Sequence, residues 1–182
     1  MHNILLEGEP GVGKTTLVME IARRLSDHRI GGFYTEEIRE HGRRVGFSVA
    51  SFSGQNGILA HVNFMSGPTV GKYRVDIPGF EKIAVSGLEA ALTDSSIILI
   101  DEIGKMELFS DRFKNILPRC FASGKPLIAT ILSRSHPYAD QLKIRRDVQR
   151  ITVTRENRER LALNLLDEFI NPVYSQTTED TE

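Results

Sequence analysis

Gly8-Glu9-Pro10-Gly11-Val12-Gly13-Lys14-Thr15 is the stretch on which the reading of this chain turns. It fills every fixed position of the phosphate-loop pattern G-x-x-x-x-G-K-[ST]. Its flanks fit the same reading. Asn3-Ile4-Leu5-Leu6 is a short apolar strand just before it, and Leu17, Val18, Ile21 and Leu25 follow at helical spacing. A strand, a glycine turn and a helix N-terminus together make an anion site. Glycines let backbone N–H groups curl around phosphate oxygens, and the helix dipole adds positive potential. Lys14 is expected to reach the β- and γ-phosphates of a nucleoside triphosphate, with the Thr15 hydroxyl as a ligand to Mg²⁺.

A phosphate loop hydrolyses nothing by itself. The metal needs a carboxylate, and attack on the γ-phosphate needs an oriented water. Ile97-Ile98-Leu99-Ile100-Asp101-Glu102 offers both: four apolar residues read as a strand covered on both faces, with two acids at its C-terminal end. Asp101 is the candidate for Mg²⁺ and Glu102 the candidate to polarise the water. Without the phosphate loop the pair would read as solvated strand-end carboxylates. By analogy among folds, the extra acid after the metal carboxylate favours a RecA-like core over a small-kinase or GTPase core, with a further strand between the two motif strands.

The 182 residues suit one domain, taken as 1–172, with a β-rich insertion at about 31–77 and a flexible acidic tail over 173–182. Hydrophobic residues at 40%, charged residues at 26% and a net charge of −1 give no reason to expect nucleic acid or an anionic membrane as partner; a protein partner stays open. The single Cys120 rules out an internal disulfide and sits at helical apolar spacing, which reads as packing. No apolar run approaches the roughly 18 residues of a span, and Glu7 interrupts the first one, so the expectation is a cytoplasmic chain. None of the five His residues has a metal-ligand partner at useful spacing.

Phe33 to Arg39, Val45 to Phe52, Ile58 to Val62 and Tyr73 to Ile77 are short β-type runs separated by glycine-containing turns, which predicts antiparallel pairs extending the main sheet. Helical spacing returns from Gly79, and again from about Ser110, where Pro118 is expected to kink or end the helix. Pro126 to Leu132 reads as a buried strand and Ile151 to Val153 as the last one. Thr154 is expected to N-cap a final helix that turns Leu161, Leu165 and Phe169 inward and stops at Asn171-Pro172. Strands alternating with helices predict an α/β fold, a mostly parallel sheet flanked by helices.

Several residues hold open readings. Glu36 and Glu37 could face a γ-phosphate or lie solvated at the sheet edge. Lys105 could pair with Glu107 or touch nucleotide. Lys143, Arg145, Arg146 and Arg150 form a basic run that is a solvated face, a nucleic-acid patch or a lid. In the lid reading Arg134, Arg145 or Arg146 serves as an arginine finger.

Gly32-Phe33-Tyr34-Thr35-Glu36-Glu37-Ile38-Arg39, Gly42-Arg43-Arg44-Val45-Gly46-Phe47, and Ile100-Asp101-Glu102-Ile103-Gly104-Lys105-Met106-Glu107-Leu108 together resemble the THEP-type, or cancer-related, nucleoside triphosphatases. Thr154-Arg155-Glu156-Asn157-Arg158 is similar too, and the likeness runs from about residue 3 to residue 170. The resemblance implies slow Mg²⁺-dependent hydrolysis of ATP, GTP and other nucleoside triphosphates to the diphosphate, with broad base use. It implies nucleotide binding by Gly8, Glu9, Pro10, Gly11, Val12, Gly13, Lys14, Thr15 and Thr16. It implies the same for Ile98, Leu99, Ile100, Asp101, Glu102, Ile103, Gly104 and Lys105. Two other readings use the same loop. A nucleoside or nucleotide kinase would pass the phosphate to an acceptor deprotonated by Glu102 or Glu36. A nucleotide-gated switch would use slow turnover as a timer.

Overall fold

The structure, a computed structural model, describes residues 3–167, so Phe169, the Asn171-Pro172 stop and the 173–182 tail lie outside the described residues. Strand β7 (Ile97–Ile103) shows what organises the rest. Ile97, Ile98, Leu99 and Ile100 are all fully buried, yet they belong alternately to two cores. Successive side chains of a strand point to opposite faces, so a continuous apolar run is covered on both. Ile97 and Leu99 join Ile4, Leu6 and Ile128 beneath helices α1 (Lys14–Arg24) and α6 (Arg158–Leu165). Ile98 and Ile100 join Leu5, Leu127 and Ala129 against the opposite layer. That layer holds α2 (Ile77–Phe80), α3 (Ser86–Asp94), α4 (Asp111–Phe121) and α5 (Pro137–Lys143).

The described residues form a nine-stranded sheet in the order β5-β6-β4-β3-β2-β7-β8-β1-β9. Its parallel part is β2 (Ile30–Glu40), β7, β8 (Leu127–Ile131), β1 (Asn3–Glu7) and β9 (Val148–Thr152). β8 lies between β1, which leads into the phosphate loop, and β7, which carries the acids. This is the separating strand expected of a RecA-like core. Beyond β2 the sheet continues antiparallel through β3 (Arg43–Ser51), β4 (Asn56–His61), β6 (Tyr73–Val75) and β5 (Thr69–Val70). β2 opposes β7 only as far as the Phe33–Ile100 pair, then runs on to Glu40. The β2–β3 hairpin therefore projects about 16 Å past the C-terminal edge of the parallel strands. β2 reaches β7 closely enough that a side chain at Gly32 (φ 106°) would meet the Leu99 carbonyl at 1.9 Å.

Three local features differ from the sequence expectations. Pro118 neither ends nor visibly interrupts α4, which runs on to Phe121. A proline at this position cannot donate to the Lys114 carbonyl one turn earlier; the Tyr138 hydroxyl donates to that carbonyl instead. The helix expected from Gly79 begins at Ile77, where the Asp76 side chain accepts from Gly79 N at 3.0 Å, and passes through a π-turn at Glu81–Val85. Thr154 caps the turn leading into the last helix, not the helix itself. Its N–H donates to Asn157 Oδ1 at 2.8 Å, its hydroxyl accepts from Asn157 N at 3.3 Å, and α6 starts at Arg158.

Phe33, Phe80 and Phe113 pack edge to face around one point, with centroids 5.4 to 5.6 Å apart, and none is more than 1% exposed. They tie β2 to the α2 and α4 layer. Phe113→Ala is expected to cost about 3–5 kcal/mol in urea denaturation, as other buried Phe truncations do. Ile144→Ala, at a side chain 79% exposed, should stay within about 0.5 kcal/mol of wild type.

Candidate functional site

The phosphate loop closes on positive-φ glycines. Gly11 (φ 78°) and Gly13 (φ 101°) take left-handed conformations that a side chain would strain, and Gly13 caps the N-terminus of α1. The first turn of α1 carries no acidic side chain, and Arg23 and Arg24 stand in its last turn, so both ends suit an anion at the N-terminus. Gly8 is held against β9: a side chain there would meet the Val153 carbonyl at 2.6 Å, and Val153 N donates to Glu7 O at 2.7 Å. Lys14 Nζ donates to Gly8 O at 2.8 Å and Glu9 O at 3.4 Å, so its ammonium lies folded over its own loop.

The alternation of β7 puts Asp101 on the face that carries α1. Thr130 of β8 shares that face with Ile128, and its hydroxyl donates to Asp101 Oδ1 at 2.6 Å. Asp101 is 1% exposed, and its other oxygen, Oδ2, is buried without a hydrogen-bond partner. Burial pushes this carboxyl above its ordinary range; Thr130, Thr15 and Lys14 pull the other way. A β-bulge follows. Ile100 opposes Ala129 while Ile103 opposes Ile131, so β7 carries one extra residue, and Ile103 returns to the opposite core from the one its parity with Ile97 and Leu99 would give. Glu102 sits in this bulge. Burial, and then the neighbouring Asp101, raise its pKa, with Lys14 opposing.

Glu107 is the residue whose part the sequence reading missed. Its side chain is 4% exposed, and it converges with Glu102 over Gly104. A methyl group on Gly104 would meet Glu102 Oε1 at 2.6 Å and Glu107 Oε2 at 2.7 Å. Burial first, and the Glu102 charge second, push its pKa up to about 8. Lys105 is exposed, and among the described residues no ion pair joins it to Glu107. The repeated acid in Asp-Glu-x-x-x-x-Glu was the available signal, but only the turn after the bulge shows that it folds back.

The structure therefore gathers Gly8 to Thr15, Asp101 and Glu102 at the C-terminal edge of β1 and β7, while Ile98, Leu99 and Ile100 serve as core beneath them. Thr16 and Lys105 are exposed nearby in the chain. Two of the three candidate arginine fingers are not at this edge. Arg145 pairs with Asp147 at 2.6 Å and lies over the Phe121 ring, and Asp147 accepts from Asn3, the first residue of β1. That is the N-terminal end of the strands, about 15 Å from the loop by strand length, and Arg146 is its exposed neighbour. Connection order misled here, because α5 carries the chain back down the sheet. Arg134, exposed just after β8, remains at the loop's end. Lys143 is no solvated side chain. It is 8% exposed, 3.6 Å from Glu7 and from Asp140, and Arg150 holds the other Glu7 oxygen. Glu37 is taken by Arg39 and Arg44, each at 2.6 Å, and Glu36 is exposed.

Comparison with known proteins identifies the family. The family model described as NTPase matches residues 3–166. The chain is 44% identical over 163 residues to the nucleoside-triphosphatase THEP1 of Thermotoga sp. (strain RQ2), covering 90% of this chain and 92% of the relative. It is 37% identical over 171 residues to that of Methanocaldococcus jannaschii, covering 92% and 96%. The crystal structure of THEP1 from Aquifex aeolicus superposes with a TM-score of 0.84 at 36% identity, covering 92% of this chain and 99% of that one. The solution structure of a human cancer-related nucleoside triphosphatase gives 0.77 at 37%, covering 92% and 96%. With the phosphate loop, the separating strand and the acid pair in place, the chain belongs to the THEP1 family of nucleoside-triphosphatases.

Proposed function

We propose that this protein hydrolyses nucleoside triphosphates to the diphosphate and phosphate with Mg²⁺ as cofactor, using ATP, GTP and others. The observation that carries this reading is Asp101 Oδ2, a buried carboxylate oxygen without a partner beside Thr15 and Lys14. Its donor set, carboxylate and hydroxyl oxygens, fits a hard divalent cation. Thr15 and Asp101 would hold Mg²⁺, which when bound neutralises charge on the phosphate oxygens. The amides of Gly11 to Thr15 and the Lys14 ammonium would bind the β- and γ-phosphates, with Lys14 exchanging its contacts to Gly8 and Glu9 for phosphate oxygens. Glu102 would accept the proton of the attacking water. Its raised pKa suits that task, since a base titrating nearer neutrality both stays available and transfers well. Glu107 beside it holds a proton near neutral pH, which spares Glu102 the repulsion of a second charge. The buried Cys120, its thiol pushed up to about 12 by burial, suits packing in a reducing compartment such as the cytoplasm.

A kinase activity is the second reading. What favours it is the β2–β3 hairpin beyond the site, with Glu36 exposed on it. Incubation with labelled triphosphate and a nucleoside panel separates the two: label released as inorganic phosphate supports hydrolysis, and label on an acceptor supports the kinase.

Lys14→Ala removes a preorganised donor to the phosphates. Turnover should fall about 10²–10³-fold, with weaker binding of Mg-ADP measured by calorimetry. Glu102→Gln should lower turnover by about 10²–10⁴-fold while nucleotide and Mg²⁺ still bind, which a parallel rate and binding measurement checks. EDTA should abolish phosphate release, and added Mg²⁺ or Mn²⁺ should restore it.

Glu107 generates a pH prediction. Its folded pKa of about 8 stands above the ordinary 4.5, so the folded state keeps a proton that the unfolded state has released. The stability this contributes is complete below about 4.5 and is lost as pH rises through about 8. Glu107→Gln stays neutral throughout. Thermal denaturation at pH 5 and pH 9 should show the Tm of wild type falling relative to that of Glu107→Gln at the higher pH.

A further inference from the structure

Arg158, the first residue of α6, lies against the phosphate loop at Val12 and Gly13. Its Nη1 donates to Val12 O at 3.4 Å, and its guanidinium fills the space a Gly13 side chain would need, with Nη1 2.5 Å from the ideal Cβ position. The arginine is itself held in place. Arg158 N donates to Thr154 O at 3.2 Å, Thr154 and Asn157 lock the preceding turn, and Ala162 and Leu165 of the same helix share a core with Leu17 and Val18 of α1. In a planar trans peptide the C=O and the next N–H point in opposite directions. Fixing the Val12 carbonyl on Arg158 therefore turns the Gly13 N–H to the side away from α6.

We infer that Arg158 is a positioning residue for phosphate binding, acting through the Val12–Gly13 peptide and touching no ligand atom. Gly13 needs this help because the conformational freedom that lets it adopt φ 101° also lets the peptide rotate away. No side-chain cap satisfies the start of α1, so the orientation is imposed from α6. The inference rests on the loop being a nucleotide site and extends that reading to a residue 145 positions downstream of Gly13.

The test is calorimetric binding of Mg-ADP and of Mg-tripolyphosphate to wild type and to Arg158→Ala, with the Gly13 amide followed by ¹H–¹⁵N correlation spectra. The expected result is a loss of about tenfold for both ligands, the scale of one charge-assisted hydrogen bond, together with a smaller Gly13 shift on ligand addition. A loss for Mg-ADP with none for tripolyphosphate would overturn the inference, since it would make Arg158 a direct contact to base or ribose. Unchanged affinities and an unchanged Gly13 shift would overturn it as well. Wild type that binds neither ligand would instead overturn the nucleotide reading itself. Where Arg158→Ala does not fold, Arg158→Met, which keeps the aliphatic stem but has no donor, is read by the same outcomes.

Discussion

Three carboxyl groups withdrawn wholly or partly from water meet at the end of one strand, and the molecule is arranged around that constraint. Asp101 and Glu107 are almost wholly inaccessible, and Glu102 is half-buried between them in the chain. Withdrawing a carboxylate from water is unfavourable unless something replaces the water. Here the replacements are the Thr130 and Thr15 hydroxyls and the Lys14 charge beside Asp101, and Glu107, which has none of them, answers by holding its proton. The site without ligand is electrostatically unfinished. Under the proposed function a cation and a polyphosphate would bring the charges it lacks, and part of their binding free energy would come from the relief of this imbalance.

The rest of the fold serves to keep that imbalance from being relaxed in other ways. β8 lies between the loop strand and the acid strand, so Thr130 can hold Asp101 while the loop stands one strand further over. The two cores clamp β7 from both faces, so the strand cannot slide to expose its acids. The bulge changes the facing of one acid relative to the other without lengthening the connection to Glu107. A scaffold that is rigid on both sides makes a strained, buried charge cluster possible.

Much of this was legible in the sequence, for identifiable reasons. The phosphate loop is read from residue types that only its backbone conformation requires, Gly11 and Gly13 among them. The unbroken run Ile97 to Ile100 announces a strand covered twice, and the acids after it announce a strand end. The antiparallel extension showed in its turns. What escaped depends on contacts between distant segments. The bulge at Asp101–Glu102 leaves no compositional trace, so the fold-back of Glu107 could not be foreseen. Arg145 and Arg146 follow the strand that ends at the site, but one short helix carries them to the sheet's other end. Arg158 stood inside a recognised motif with no assigned part, because its partner is a carbonyl, and carbonyls are invisible in a sequence.

The proline in α4 has an evolutionary consequence. Pro118 leaves the Lys114 carbonyl without its helical donor, and the Tyr138 hydroxyl from α5 supplies one. The two residues are thus energetically linked, and the link has a direction. Replacing the proline first restores the helical N–H, after which the carbonyl has two donors and the tyrosine can be lost without stranding it. Losing the tyrosine first strands a half-buried carbonyl. Lineages leaving this arrangement have an open path through position 118 and a hindered one through position 138. A single backbone oxygen in this way sets the order in which two side chains on different helices can change.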